Sequence, residues 1–159
     1  MTLCPCGLEK KYEQCCGRFI DKKQSPQTPE HLMRSRYSAF SQINTDYIKN
    51  TMKGTALLNF NESEVQKWAS SIHWIGLKVI QTWLDSSTRG FVEFSARFIE
   101  NKRVQTIHEQ SEFHLVDKVW YYVEGTNMQL PTNKPPRIIP RTGPCPCGSG
   151  RKFKNCHDE

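Results

Sequence analysis

The feature that most constrains this chain is a short cysteine pattern that occurs twice, once near each end. All seven cysteines of the 159 residues lie in CPCGLEKKYEQCC (4–16) or CPCGSGRKFKNCH (145–157). The two segments share a Cys-Pro-Cys-Gly start, a basic pair, an aromatic residue and a spacing of eight residues before the next cysteine. This internal repeat indicates two small units of the same kind, separated by a cysteine-free middle.

Each segment supplies four sulfur or nitrogen donors, the number that tetrahedral zinc takes in a closed structural site. A segment this short cannot bury a hydrophobic core, so we expect its folding to depend on the metal. The sequence therefore predicts two zinc ions per chain. The expected ligands are Cys4, Cys6, Cys15 and Cys16 for the first ion, and Cys145, Cys147, Cys156 and His157 for the second.

Three other uses of clustered cysteines fit the pattern less well. An odd number of cysteines leaves one unpaired in a disulfide framework, and a chain with no visible secretory signal is expected in the cytosol, where thiols are kept reduced. A redox pair is more often Cys-x-x-Cys, which the sequence lacks. An iron–sulfur cluster normally takes four cysteines, whereas the second segment ends on His157.

The second segment, CPCGSGRKFKNCH, resembles the SEC-C motif, the zinc knuckle at the C-terminal tail of the bacterial preprotein-translocase ATPase. The first resembles a variant of that motif, with Cys16 in the place of the histidine. A copy at each end of an aromatic middle is similar to the YchJ-like family of bacterial proteins, whose middle is NTF2-like. The middle segments that carry this resemblance are LMRSRYSAF (32–40), WIGLKVI (74–80), HEQSEF (108–113) and WYYVEG (120–125).

The resemblance implies an NTF2-like (cystatin-like) cone, in which a curved antiparallel sheet wraps a long helix, flanked by two small zinc knuckles. It also implies an acidic protein partner such as an export chaperone, or the ribosome. The residues themselves agree with the fold. Thr28-Pro29-Glu30 is typical of a helix start, and apolar residues at helical spacing extend the predicted helix to about residue 50. A variant capping box at Asn61 predicts a shorter helix to about Ser71.

After His73 the hydrophobic period changes to two, which is typical of strands with one buried face. The pattern predicts strands near 74–85, 90–100, 103–116 and 119–124, joined as an antiparallel meander. Helices followed by a run of strands indicate an α+β domain. We therefore divide the chain into an N-terminal knuckle (1–20), an NTF2-like domain (26–127), a proline-rich basic linker (128–144) and a C-terminal knuckle (145–159).

Two polar residues interrupt an apolar face of the third predicted strand. On this face every second residue reads Ile107, Glu109, Ser111, Phe113. The face that enters the core would therefore carry a carboxylate and a hydroxyl. Arg34 or Arg36 on the first helix could pair with Glu109. The favoured interpretation is a buried ion pair with a satisfied serine, and the alternative is a ligand pocket.

The excess positive charge belongs to the C-terminal part of the chain. Residues 125–157 carry six basic side chains and no acid, whereas the whole chain has a net charge of +6. A solvated linker would explain these charges, but their density favours an acidic partner. Basic residues around Phe153 would also suit nucleic acid, through phosphate contacts and base stacking. The candidate partner-binding residues are Arg141, Arg151, Lys152 and Lys154.

These patterns favour a cytoplasmic zinc-binding adaptor over an enzyme. The sequence has no phosphate-binding glycine loop, no nucleophile elbow and no catalytic carboxylate pair. It also shows neither a secretory signal nor about 18 consecutive apolar residues. Two alternatives stay open: a small-molecule binder or enzyme that uses the central cavity, and a nucleic-acid-binding protein that uses the basic C-terminal arm.

Overall fold

The computed structural model describes residues 2–130 and 132–158 of the chain. Met1, Pro131 and Glu159 lie outside the described residues. The predicted N-terminal knuckle, linker and C-terminal knuckle are therefore each described except at one position. Five helices precede four strands in the described part of the chain, so the α+β prediction is confirmed. None of these helices is long and apolar enough to cross a bilayer.

Helix α1 spans Gly17–Ile20, α2 Pro29–Ser41, α3 Thr45–Asn50, α4 Gly54–Leu58 and α5 Glu62–Ser70. Three of the five helices, α2, α3 and α5, begin at a capping side chain. The hydroxyl of Thr28 accepts a hydrogen bond from the His31 amide, and Asn61 accepts one from the Glu64 amide. Both are N-caps, which satisfy amides that a helix start leaves unpaired. The two predicted helix starts are therefore confirmed.

The predicted single helix to about residue 50 is wrong, because the chain turns sharply after α2. Ile43 adopts a left-handed conformation, with φ at 56°. The amide of Asn44 then donates to the carbonyl of Ala39 at 2.8 Å, and the amide of Ile43 donates to that of Phe40 at 3.1 Å. These two bonds form a Schellman motif, which ends a helix. Asn44 then caps α3 through its side chain.

The four strands form one antiparallel sheet in the order β1-β2-β3-β4. Strand β1 spans His73–Ser86, β2 Arg89–Glu100, β3 Arg103–Val116 and β4 Val119–Asn127. Their bounds agree with the sequence-based prediction to within three residues. Tight turns with left-handed residues, Asn101-Lys102 and Asp117-Lys118, join the last three strands. Turns of this kind match the twist of the strands that they connect.

One face of the sheet packs against the helices and forms the main core. Val92, Phe94 and Ala96 alternate along β2 on this face, and all three are buried. Leu32 and Met33 of α2 pack in the same cluster. A second, smaller cluster lies elsewhere and contains Ile99, Ile139, Cys145 and Phe153. The molecule therefore has two separate apolar centres, and each includes one of the cysteine segments.

Candidate metal sites and the central cavity

The four cysteines of the N-terminal knuckle (4–16) converge on one point and are all buried. Their sulfur atoms lie within 4.8 Å of one another, and the Sγ atoms of Cys6 and Cys15 are 3.5 Å apart. Gly7 has φ at 85°, a conformation that side chains disfavour, so the chain can turn back directly after Cys6. The Cys4 amide donates to the Lys10 carbonyl at 2.8 Å and closes this loop.

Helix α2 holds the N-terminal knuckle against the main core. The Nη1 atom of Arg34 donates to the carbonyl oxygen of Cys6 at 2.9 Å, while its Nε pairs with Glu30 at 3.0 Å. The hydroxyl of Ser38 lies 3.6 Å from Sγ of Cys4. The four cysteines belong to the same buried cluster as Leu32. The first candidate metal site is therefore part of the core of the domain.

The C-terminal knuckle (145–157) brings together the second set of donors. Sγ of Cys145 lies 3.2 Å from Nδ1 of His157, and the Sγ atoms of Cys147 and Cys156 are 3.6 Å apart. All four donor atoms lie within 4.8 Å of one another. This site is less enclosed than the first, since Cys145 is its only ligand that is fully buried. The two sites thus have similar geometry but different exposure.

Both donor sets fit a tetrahedral metal ion. Metal–sulfur bonds of about 2.3 Å at tetrahedral angles place two sulfurs about 3.8 Å apart. The separations between Cys6 and Cys15 and between Cys147 and Cys156, 3.5 and 3.6 Å, are close to that value. A disulfide would bring the sulfurs to about 2.05 Å. Each cluster could therefore hold one metal ion.

The thiols of each cluster ionise unequally. Burial raises the pKa of the Cys15 thiol to about 12 and that of the Cys145 thiol to about 11, whereas a hydrogen bond from Cys16 lowers the pKa of Cys4 and the hydroxyl of Ser149 helps to lower that of Cys147 to about 7. A divalent cation at the centre of such a cluster would lower the pKa of all its thiols, because metals bind thiolates and stabilise their charge. The chemistry of the donor sets therefore agrees with their geometry.

The C-terminal knuckle is docked on the end of the sheet where β2 turns into β3. Phe153 is fully buried and packs with Ile139, Cys145 and Ile99 of β2. The Ile139 amide donates to the carbonyl of Lys102 at 2.8 Å. Part of the predicted proline-rich basic linker is thus fixed to the domain. This contact depends on Ile139, the second residue of an isolated Ile-Ile pair between prolines.

The C-terminal knuckle is also held to the domain by an ion-pair cluster around Asp158. Asp158 was not among the predicted site residues. The carboxylate of Asp158 forms an ion pair with Nζ of Lys102 at 2.9 Å and accepts a hydrogen bond from Nε of Arg141 at 2.7 Å. The two cations lower the pKa of Asp158. Its side chain is only 3% exposed. No local pattern predicts this contact, since Lys102 and Asp158 are far apart in the chain.

The four candidate partner-binding residues are exposed, but they are not equivalent. Arg141 already pairs with Asp158, so part of its charge is neutralised. The guanidinium of Arg151 lies 3.6 Å from Sγ of Cys156, beside the metal site. We call the exposed cations of the knuckle itself the basic rim; they are Arg151, Lys152 and Lys154.

A cavity of about 330 Å³ lies between the helices and the inner face of the sheet. Glu109 and Ser111 both line it, on the face that their spacing predicted. Of the two candidate arginines, Arg36 lines the cavity, whereas Arg34 is turned to the N-terminal knuckle. Arg36 donates from Nη1 to the carbonyl of Ile48 and to the hydroxyl of Thr51, both at 2.7 Å. Both bonds go to the C-terminal end of α3, and neither goes to Glu109, with which Arg36 could have paired.

The hydrogen-bond partners of Glu109 come from the sheet. Its Oε1 atom accepts from the hydroxyl of Ser111 at 2.8 Å and from the phenol of Tyr122 at 3.0 Å. A Cβ atom at Gly125 would lie 2.1 Å from Oε1 of Glu109 and 2.4 Å from the Tyr122 oxygen. The missing side chain of Gly125 therefore provides the space for the carboxylate. Gly125 lies inside β4 in the structure, where glycine typically marks a close approach, but it stands one residue beyond the predicted strand 119–124 and was not among the predicted site residues.

Comparison with known proteins identifies the parts of this architecture. Residues 28–125 match the family described as "YchJ, middle NTF2-like domain". Residues 2–18 and 141–157 each match the SEC-C motif. The NTF2-like prediction and the SEC-C prediction for both ends are confirmed.

Relatives align over nearly the whole chain. A UPF0225 protein of Geobacter sulfurreducens is 37% identical over 157 residues, which are 98% of this chain and 97% of that protein. The solution structure of a SEC-C motif containing protein from Rhodopseudomonas palustris is 33% identical, with a TM-score of 0.74, and covers 80% of this chain and 100% of that one. A SEC-C motif containing protein from Psychrobacter arcticus, known from a crystal structure, is 31% identical. The match covers 98% of this chain and 95% of that one, with a TM-score of 0.69. The chain therefore belongs to the UPF0225 (YchJ) family, with a SEC-C motif at each end of an NTF2-like domain.

Proposed function

We propose that the protein is a zinc-dependent adaptor, in which the C-terminal knuckle presents its basic rim to an acidic protein partner in the cytoplasm. The observation that carries this proposal is the unequal exposure of the two metal sites. The N-terminal site is enclosed in the core, whereas the C-terminal site lies at the surface with exposed cations around it. The first ion then has a structural role, and the second shapes a surface.

Zinc is the ion that suits both donor sets. One site offers four cysteines and the other three cysteines with a histidine. Thiolate and imidazole ligands in tetrahedral sites of this composition typically bind structural zinc. We expect elemental analysis of the purified protein to find two zinc ions per chain, and one in the Cys156→Ser variant. A full complement of zinc in that variant would contradict the ligand assignment.

Two features support a protein partner over nucleic acid. Phe153, the aromatic residue of the C-terminal knuckle, is fully buried against Ile99 and Ile139, so it offers no face on which a base could stack. The basic rim then provides phosphate contacts alone, and three cations make a small footprint for that purpose. An acidic protein surface needs only complementary charge and a fixed shape. The docked knuckle supplies both.

Charge reversal on the basic rim tests the proposal. We would compare captures from nuclease-treated lysate by the wild-type protein and by the Lys152→Glu/Lys154→Glu variant. Both substituted side chains are exposed and neither is a metal ligand, so the knuckle should keep its zinc. We expect the variant to lose a set of acidic proteins that the wild type retains at low salt. The same set of proteins in both captures would overturn the adaptor proposal.

The matched control changes the same charge at another place. Lys49 and Lys67 are exposed lysines of α3 and α5. The Lys49→Glu/Lys67→Glu variant therefore has the same net charge as the test variant. It should capture the wild-type set if the position of the charge matters. Equal losses in both double variants would indicate a nonspecific charge effect and contradict a defined site on the knuckle.

A further inference from the structure

The central cavity has the features of a binding site whose ligand chemistry can be specified. Its volume of about 330 Å³ is at the lower end of the range of about 300–1,000 Å³ for small-molecule pockets. Eight of its 17 lining residues are aromatic, among them Trp68, Trp74 and Phe94. Flat side chains of this kind bind flat rings well, through stacked and edge-to-face contacts. The walls therefore suit an aromatic molecule of one or two rings.

One end of the cavity is a polar cluster that the fold builds from three elements. Glu109 and Ser111 come from β3, Tyr122 from β4 and Arg36 from α2. Ser111 is 2% exposed and Arg36 is 7% exposed. The carboxylate fills the space that Gly125 leaves free. Such an arrangement costs desolvation free energy, because it places a carboxylate and a guanidinium in the core.

The carboxylate of Glu109 keeps capacity to accept a further hydrogen bond. A carboxylate has about four lone-pair positions. Two of them are used by Ser111 and Tyr122, and both of these bonds end on Oε1. Burial, followed by the negative charge of Glu109, raises the pKa of Tyr122 and keeps its phenol a donor. The remaining positions on Oε2 suit a donor group of a ligand.

The charges that line the cavity are balanced. Arg36 is its cation and Glu109 its anion, and the other lining residues are uncharged at neutral pH. The Arg36 guanidinium stacks on the ring of Tyr122, with its carbon 4.5 Å from the ring centroid. A charged ligand would upset this balance in an environment of low polarity. An uncharged ligand would not.

We propose that this cavity binds an uncharged planar aromatic compound of one or two rings, whose N–H or O–H group donates a hydrogen bond to the carboxylate of Glu109. The aromatic walls hold the ring, the volume limits its size and the balanced pair of charges selects against ions. This role is independent of the basic rim and of the partner proposed for it.

Two isosteric probes test the hydrogen bond directly. Indole carries a ring N–H donor, whereas benzofuran has the same shape with an oxygen in that position. We would titrate each into the zinc-loaded full-length protein by calorimetry, and follow the indole N–H signals of the tryptophans by NMR. We expect saturable binding of indole, with shifts at Trp68 and Trp74. Indole should bind about 10- to 100-fold more tightly than benzofuran, the range for a hydrogen bond to a charged group.

The Glu109→Gln variant should remove that preference, because its amide nitrogen presents hydrogens to the ligand instead of a lone pair. The matched control is Glu93→Gln, the same change on β2 at a carboxylate that binds His108 outside the cavity lining. The control should keep the preference for indole. Tryptamine, a cation, should bind more weakly than indole in the wild type.

Three results would overturn the proposal. They are the absence of saturable binding by indole, equal affinity for indole and benzofuran in the wild-type protein, and an unchanged preference in a folded Glu109→Gln variant. The first two need no substitution, so they decide the matter even where that variant does not fold. Zinc content, measured on the same samples, separates a failure here from a failure of the adaptor proposal.

Discussion

Arg34 and Arg36 lie two positions apart on α2 but serve different parts of the molecule. Arg34 donates to the carbonyl of Cys6 in the N-terminal knuckle, and Arg36 donates to α3 beside the cavity. Successive helix positions are rotated by about 100°, so side chains at i and i+2 point in nearly opposite directions. One helix thereby joins the metal site to the cavity wall. Both residues were candidates to pair with Glu109, and only Arg36 lines the cavity.

Arg34 should contribute measurably to stability. The Arg34→Met variant keeps most of the aliphatic stem but leaves the Cys6 carbonyl without its charged donor. We expect the free energy of unfolding to fall by about 1.5–3 kcal/mol, measured by urea denaturation. In the control, Glu30→Gln, the bond to Cys6 remains and only the partly exposed ion pair is lost. A loss there of less than about 1 kcal/mol is expected, and equal losses in both variants would contradict the assigned role.

His31 should make stability depend on pH. Burial, and then the positive charge of Arg18, lowers its pKa below the usual 6.5. The ring packs on Phe19, with centroids 5.8 Å apart. Above 6.5 the histidine is neutral in both states, so its contribution is fully present. As the pH falls through 6.5, the unfolded chain takes up the proton more readily than the folded protein does, so the free energy of unfolding decreases.

The measurement compares urea midpoints at about pH 8 and about pH 5.5 for the wild type and His31→Phe. The variant keeps the stacked ring but has no group that titrates. We expect the wild type to lose more stability between the two pH values than the variant does. Loss of metal at the lower pH affects both proteins and cancels in the comparison. Equal losses would show that His31 does not titrate differently in the folded state.

Within the candidate sites, the residues that could be predicted are those that belong to a local sequence pattern. The metal ligands follow from the Cys-x-Cys pattern, and Glu109 and Ser111 follow from the period of two in a strand. Tyr122 was missed as a partner of Glu109. It lies opposite Phe113 on the next strand, beside a register shift between Glu112 and Phe113. Such an irregularity changes which side chains share a face, and no local pattern shows it.

Among the elements, the turn between α2 and α3 contains the clearest strain. Ile43 occupies the left-handed position of a Schellman motif, where glycine is preferred. A β-branched side chain in this conformation costs about 1–2 kcal/mol. Ile43 is 39% exposed, so its removal also gives up part of its burial, which offsets some of that relief. The Ile43→Gly variant should therefore raise the free energy of unfolding by at most about 1 kcal/mol.

The test of this prediction is a urea denaturation series with Ile43→Val as its control. Valine is β-branched as well, so it keeps the strain, and we expect no gain from it. A destabilised glycine variant would show that the side chain of Ile43 contributes more through packing than it costs in backbone strain. The far-ultraviolet circular dichroism should stay the same in all three proteins, because the helix ends at the same residue.

The strands could be predicted much better than the helices that precede them. Alternation along Val92, Phe94, Ala96 and Phe98 is a local signal, and polar turn residues mark both ends of the strand. The short helix α4 and the break at Ile43 have no comparable signal. Both depend on packing against other elements; α4, for example, packs against β4. A left-handed isoleucine is a conformation that tertiary structure imposes against local preference.

At the scale of the whole molecule, the two candidate metal sites belong to different apolar clusters. The cysteines of the N-terminal knuckle pack with the main core, and Cys145 packs in the smaller cluster with Phe153. The sequence analysis predicted both sites but left open how the knuckles pack. Their docking depends on contacts between distant segments, such as Lys102 with Asp158. No repeat or period in the sequence reports such a contact.

Loss of each metal should therefore have a different consequence. Cys6 is fully buried in the main core, so the Cys6→Ser variant should lose one metal and destabilise the whole domain. The Cys156→Ser variant should also lose one metal but leave the main core folded. We expect the thermal midpoint of Cys6→Ser to be lower than that of Cys156→Ser by at least about 5 °C. Equal midpoints, with one metal missing from each variant, would contradict this division.

Gly125 and Glu109 share one volume of space, because the carboxylate occupies the position that a Cβ atom at Gly125 would take. The two positions are therefore expected to change together during evolution. In relatives where a side chain replaces this glycine, a shorter residue should stand in the place of Glu109, and the phenol of Tyr122 should be lost or find another acceptor. A relative with both a full-length glutamate and a side chain at the glycine position would need a wider spacing of β3 and β4. Correlated substitution at 109 and 125 is thus a mark by which members that keep this polar cluster can be separated from those that have closed the cavity.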